Sequence, residues 1–159
     1  MIGAHHTTWF DFVMNLLLMG ATGLRYRWMA KSSLFRKPFG GIMRALGGMP
    51  VERGARANFV DQVVAQLHQH KSLIIALLPE GTRRHTSHWK TGFYYIALGA
   101  QVPIALGYVD YKRRRIGVGP ILMPTGDIEA DFVRYRDFYA TITGLHPERQ
   151  GDVRLLSDG

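Results

Sequence analysis

The sequence predicts an α/β fold: a single domain built on a mixed, mostly parallel central sheet flanked by helices. Three observations lead there. Apolar runs of strand length alternate with stretches of helical periodicity along the chain. The clearest example is Ala57–His70, where Phe59, Val60, Val63, Val64 and Leu67 recur at helical spacing, followed by the apolar run Leu73–Leu78. A length of 159 residues at 47% hydrophobic content supplies one domain with a real core.

The elements follow in order. Ile2–Ala4 reads as the end of a strand whose beginning is absent, so the first strand is expected to be truncated. Thr8 is placed to cap a helix, with Asp11 in capping-box position; the apolar run from Phe12 makes that helix largely buried until Gly20 and Gly23 end it. Arg25–Lys31 alternates polar and apolar positions as a short strand does. A second helix spans about Leu34–Leu46, loosened by Pro38, Gly40 and Gly41, and Gly47-Gly48 breaks it ahead of an extended Met49–Arg53. The Ala57–His70 helix and the Leu73–Leu78 strand come next, and Pro79 ends the strand. Beyond a polar loop lie a helix over Gly92–Leu98 and an apolar strand Gln101–Val109, with Tyr111–Val118 pairing to it across the basic turn Lys112–Arg115. Ile121–Met123 reads as a further short strand. Asp127 starts a last helix to about Thr143, which turns Phe132, Tyr135, Phe138, Tyr139 and Ile142 to the core. The domain is therefore drawn as residues 1–145, with 146–159 a polar, loose tail.

Composition narrows the function. Formal net charge is +8, which calls for an anionic partner: nucleic acid, an acidic membrane surface or phosphate-bearing substrates. The absence of cysteine excludes disulfides, thiolate metal sites and a cysteine nucleophile, and fits a reducing compartment. No signal peptide is visible, because two histidines and an aspartate follow Met1–Ala4 closely. The longest apolar run, Phe12–Leu24, falls short of the roughly 20 residues a membrane span needs. His85 with His88, and His68 with His70, lack a third ligand at zinc-like spacing, so no metal is expected.

Two stretches hold the candidate chemistry. On one α-helix His6 and Asp11 would point roughly 140° apart. They meet only if His6 lies in the loop ahead and Asp11 in the first turn, which is what Thr8 as the cap predicts. Asp11 then takes the Nδ1 proton of His6 and leaves Nε2 as a base. Spacing alone is equally served by a capping Asp11 beside an exposed loop histidine. After the Leu73–Leu78 strand, Glu80, Gly81, Thr82 and Arg83 set a carboxylate, a glycine, a hydroxyl and a guanidinium in a row, with Lys90 and Gly92 beyond. Such a junction offers N–H groups and a forked cation to a phosphate, though a plain turn has the same letters. No serine sits in a Gly-x-Ser-x-Gly turn. A His–Asp base without an enzyme nucleophile suits a hydroxyl on the substrate itself and direct transfer in a ternary complex.

At these residues a resemblance enters. His6-Thr7-Thr8-Trp9-Phe10-Asp11 resembles the His-x4-Asp block of the glycerolipid acyltransferases, the lysophosphatidate acyltransferase (PlsC-like) family. Gly48–Arg53 is similar to its second block, and Pro79-Glu80-Gly81-Thr82-Arg83 to its third almost letter for letter, trailed by Lys90 and Gly92. Val102-Pro103-Ile104 is similar to the hydrophobic fourth block, and Lys31 falls where the family often has a lysine. The blocks stand in order over residues 5–109, which outweighs the plain readings of each alone.

The resemblance implies a glycerol-3-phosphate acyltransferase-like fold. It implies transfer of a fatty acyl group from acyl-CoA or acyl-carrier protein, with no bound cofactor, to the free hydroxyl of a lysophospholipid, turning lysophosphatidate into phosphatidate. His6 and Asp11 are then catalytic. Arg53 and Arg83 hold the acceptor's phosphate, Glu80 anchors its loop or bonds the glycerol, Gly81 permits the turn, Thr82 adds a hydroxyl contact, and Lys90 completes the substrate-binding set. Val102–Ile104 shapes the acyl groove. The sequence departs from the pattern at His5-His6-Thr7-Thr8, where the family has Asn-His-x-Ser, at Arg84, where a small hydroxyl residue is common, and in starting so close to His6. Arg25, Arg27, Lys31, Arg36, Lys37 and Arg44, interleaved with Trp28, Leu34, Phe35 and Phe39, suggest peripheral attachment to an anionic membrane on its cytoplasmic face, or a solvated basic face. Another lyso-lipid acceptor and an inactive membrane-binding remnant stay open. A nucleic-acid-binding module would explain the charge but not the ordered blocks, so nucleic acid is not expected as a partner.

Overall fold

The structure is a computed structural model that describes residues 2–51, 56–70 and 72–156. Strand β1 (Ile2–Ala4) leads through a short loop into helix α1 (Phe10–Thr22). Thr8 caps as its position predicts: its hydroxyl accepts the Phe10 N–H at 3.3 Å, while Asp11 Oδ2 reaches back to the Thr8 N–H at 3.0 Å. The helix continues through Gly20 and stops at Gly23, which sits at φ +68° and donates its N–H to the Met19 carbonyl. It is not the largely buried helix its composition suggests. Only Asp11 and Leu18 are buried, and Leu17 faces solvent, because α1 is covered on one side by the segment Arg115–Leu122 and the Trp28 ring.

Strand β2 (Arg27–Lys31) passes into a 3-10 turn, Ser32–Phe35, and a short helix α2 (Gly40–Ala45). This pair replaces the single helix expected over Leu34–Leu46. Pro38 interrupts it, and Gly40 lies so close to the Phe35 carbonyl that no side chain fits there. Strand β3 (Gly48–Val51), helix α3 (Arg56–Gln69) and strand β4 (Ile75–Ala76) follow, then helix α4 (Gly92–Ala100), strands β5 (Ile104–Asp110) and β6 (Arg115–Leu122), and helix α5 (Ile128–Tyr139). Ile121 belongs to β6 rather than to a separate strand. At the start of α5, Asp127 accepts the Ala130 N–H at 3.1 Å, as an N-cap does.

The α/β class and the mixed, mostly parallel pairing hold. Strand β1 runs parallel to β5, β2 runs parallel to β3 and β4, and β5 pairs antiparallel with β6. The expected single central sheet is, among the described residues, two three-stranded halves of order β1-β5-β6 and β3-β2-β4. Strand β4 contributes only Ile75 and Ala76 to a ladder, and Pro79, which has no N–H, turns the chain shortly afterwards. The halves are joined instead through a side chain, the carboxylate of Glu80, which reaches the residues following β1.

The main core lies between α4, β5 and α5, where Trp89, Tyr94, Leu106, Phe132, Tyr135 and Tyr139 are nearly inaccessible. A second cluster joins Val63 of α3, Ile75 and Ile96. Residues 146–156, expected to be loose, are packed on the domain. The Trp89 N–H donates to the Arg154 carbonyl and the Asp152 N–H to the Thr86 carbonyl, while Val153 and Leu155 rest on the main core. The polar segment is held by both kinds of bond: its backbone bonds Trp89, Thr86, Glu80 and Thr7, while the Gln150 side chain bonds Gly144 and Ile142 and Arg154 Nε donates to the Ser87 carbonyl. Among the described residues no helix is long and apolar enough to cross a membrane.

Candidate active site

The site forms where the loop after β1 meets the loop after β4. Asp11, 2% exposed in the first turn of α1, accepts the N–H of Thr7 at 2.9 Å and of Thr8 at 3.0 Å on Oδ2, and the Tyr111 hydroxyl at 2.7 Å on Oδ1. His6 precedes the helix, as the cap requires, and its Nδ1 lies 3.5 Å from Asp11 Oδ2. That separation is longer than a formed hydrogen bond and short enough to close by a small ring rotation; catalytic bonds are often long before substrate binds. Burial by itself would push the Asp11 carboxyl up. The His6 ring, the Tyr111 hydroxyl and the Thr8 N–H outweigh it and hold the group below its ordinary value. Burial and the neighbouring Asp11 charge push Tyr111 up, which keeps it a hydroxyl donor. His6 and Asp11 open on a small pocket lined also by Asn15, Leu78 and the β5 residues Gly107, Tyr108 and Val109.

Glu80 is the second anchor. It is 3% exposed, and its Oε2 accepts the His6 backbone N–H at 2.9 Å. Its Oε1 lies 3.1 Å from His5 Nδ1 and accepts the Gly151 N–H at 3.2 Å. The chain's own donors reach both oxygens of Glu80, so its carboxylate ties the loop after β4 to the loop after β1 and to Gly151. Gly81 follows at φ +62°, a conformation that calls for glycine, and an added Cβ there would come 2.8 Å from Lys90 Nζ. The Lys90 ammonium thus stands over the residue next to Glu80. Thr82 turns its hydroxyl inward on its own loop, accepting the Arg84 N–H at 3.2 Å. The Arg83 side chain is exposed and has no ion-pair partner among the described residues. Arg53 lies outside the described residues.

The structure therefore brings His6, Asp11, Glu80, Gly81 and Lys90 together. Val102 and Ile104 go elsewhere: Ile104 is in the main core and Val102 packs on it, while the pocket is lined further along the same strand by Gly107–Val109. Three participants carry no sequence signal of their own. Tyr111 lies 100 positions from Asp11 and Gly151 lies 71 from Glu80, the carboxylates they bond. His5 is visible only as the neighbour of His6. Long-range bonds of this kind leave no periodicity or spacing to read.

A family model described as Acyltransferase matches residues 2–105, well over half of the chain. Neither the curated proteins nor the solved structures yield a match.

Proposed function

The chain belongs to the glycerolipid acyltransferase family, and on that premise we propose that it moves a fatty acyl group from acyl-CoA or acyl-carrier protein to the free hydroxyl of lysophosphatidate. The observation behind this reading is the His6–Asp11 pair at the mouth of the pocket, with Nδ1 turned to the carboxylate and Nε2 left for a hydroxyl. His6 takes the hydroxyl proton on Nε2 as the acceptor oxygen attacks the thioester carbonyl. The tetrahedral adduct collapses, the C–S bond breaks, and the departing thiolate leaves as thiol with the proton from the imidazolium. Asp11 holds the tautomer and offsets the imidazolium charge. Arg83, Lys90 and Arg53 supply cations for the acceptor's phosphate, the guanidinium groups by two parallel bonds each. No covalent acyl-enzyme and no bound cofactor are needed.

Transfer from a thioester to lysophosphatidate, followed in wild type and His6→Ala, tests the reading. Turnover in the variant is expected to fall by about 10² or more; equal turnover would remove His6 as the base. Running lysophosphatidylethanolamine in parallel decides the acceptor's headgroup.

The protein is further proposed to sit peripherally on an anionic membrane at its cytoplasmic face, where such an acceptor resides. From Phe12 to Val51 there is no acidic residue, while Arg25, Arg27, Lys31, Arg36, Lys37 and Arg44 lie in that span. Around α2 the large apolar side chains Leu34, Phe39 and Ile42 are each more than half exposed beside exposed Arg36, Lys37 and Arg44. That mixture matches the boundary between headgroups and acyl chains.

A further inference from the structure

His6 stands between two carboxylates, one 3.5 Å from its ring and one accepting its backbone N–H at 2.9 Å. Each of these is bonded in turn by a donor from the C-terminal third of the chain, beyond the residues 2–105 that the family model matches. The Tyr111 hydroxyl donates to Asp11 Oδ1 at 2.7 Å, and the Gly151 N–H donates to Glu80 Oε1 at 3.2 Å. We propose that Tyr111 is a positioning residue of the reaction: its hydroxyl locks the plane of the Asp11 carboxylate, so that Oδ2 is presented to His6 Nδ1.

The geometry favours this over a purely structural bond. The terminal torsion of an aspartate is broad and roughly two-fold, and the two oxygens of the rigid carboxylate turn together, so donors on both oxygens hold that torsion from both ends. Thr7 and Thr8 hold Oδ2 from one side; Tyr111 is the donor on Oδ1. His6 Nδ1 stands 3.5 Å from Oδ2, beside the two N–H donors already on that oxygen. Tyr111 is itself well placed to hold a line: it begins the β5–β6 turn, its N–H donates to the Thr143 carbonyl at 2.9 Å, and the preceding Asp110 pairs with Arg113 at 2.8 Å. A phenol so anchored adds little freedom of its own.

This rests on His6 being the base, and the test separates the two ideas. Tyr111→Phe removes only the hydroxyl and keeps the ring. Ring ¹⁵N shifts report which nitrogen of neutral His6 bears the proton, with or without turnover. The Nδ1–H tautomer is expected to dominate in wild type and to lose population in Tyr111→Phe. In the acyl-transfer assay kcat is expected to fall about tenfold or more with KM unchanged, the range for one hydrogen bond to a charged group. In a His6→Ala background the same change should cost nothing further, because Tyr111 acts only through His6. An unaltered tautomer in folded Tyr111→Phe, or an equal loss in the His6→Ala background, would overturn the proposal. A shifted tautomer in a protein with no turnover on either lyso-lipid would uphold the positioning role and remove the acyl-acceptor reading instead.

Discussion

Asp11 does two jobs with one carboxylate, and its pH behaviour follows from them. As a capping group it ties the loop 5–9 to α1; as the partner of His6 it faces the ring proposed as the base. Its pKa is lower in the folded chain than the ordinary value of 3.8, so the stability it gives is complete above about pH 4 and is lost as pH falls through the lower native value. Urea unfolding of wild type and Asp11→Asn between pH 7 and pH 2 is expected to show a gap that is widest above pH 4 and closes below it. A gap constant down to pH 2 would mean that the bonds seen at Asp11 do not depend on its charge. The local half of this site was legible in the sequence, since the Thr8–Asp11 cap forces His6 into the loop. Tyr111 was not, because nothing local marks a partner so distant.

Among the elements, the segment 146–156 differs most from what its composition suggests. Its backbone bonds Trp89, Thr86 and Glu80, and Gln150 accepts the Gly144 N–H at 2.9 Å. Gly151 is the pinch point: a Cβ there would lie 2.6 Å from Thr86 Cγ2 and 3.3 Å from Glu80 Cγ. Gly151→Ala must push the segment away or displace the carboxylate that bonds the His6 N–H. Overpacking of this kind costs about 1–3 kcal/mol, a fall in Tm of several degrees for a chain of this size. Thermal unfolding measures it directly; a Tm unchanged within a degree would show that the segment is only lightly attached. Composition separates polar from apolar side chains but does not say which distant groups they and the backbone will bond, so the segment's attachment was hidden from it.

For the whole molecule the decisive feature is asymmetry. Six of the Lys and Arg residues fall in the span from Phe12 to Val51, which has no acid, and the exposed Leu34, Phe39 and Ile42 sit within it. A ring contact series, Phe12 on Trp28 and Trp28 on Phe35, with Arg44 over Phe35, ties the helix that carries Asp11 to this surface. Co-sedimentation with vesicles containing phosphatidylglycerol at low salt is expected for wild type. Binding should weaken with added salt and drop about fivefold or more in Phe39→Ser combined with Lys37→Gln, given roughly 1 kcal/mol per basic residue at such a surface plus the lost ring. Equal binding by the variant would move the contact elsewhere, and no binding to anionic vesicles by wild type would end the membrane proposal.

The sequence by itself determined the α/β class, most elements, the cap that sets His6 against Asp11, and the need for glycine at position 81. Each depends on neighbours in the chain: periodicity, capping chemistry or a turn conformation. Only the tertiary structure decided that Glu80 braces the loop holding His5 and His6, that the sheet is split into two halves which that carboxylate bridges, that Val102 and Ile104 serve the core, and that Tyr111 and Gly151 bond the carboxylates of the site. These are contacts between residues far apart in the chain, fixed by how strands and helices stack, and no local pattern encodes them.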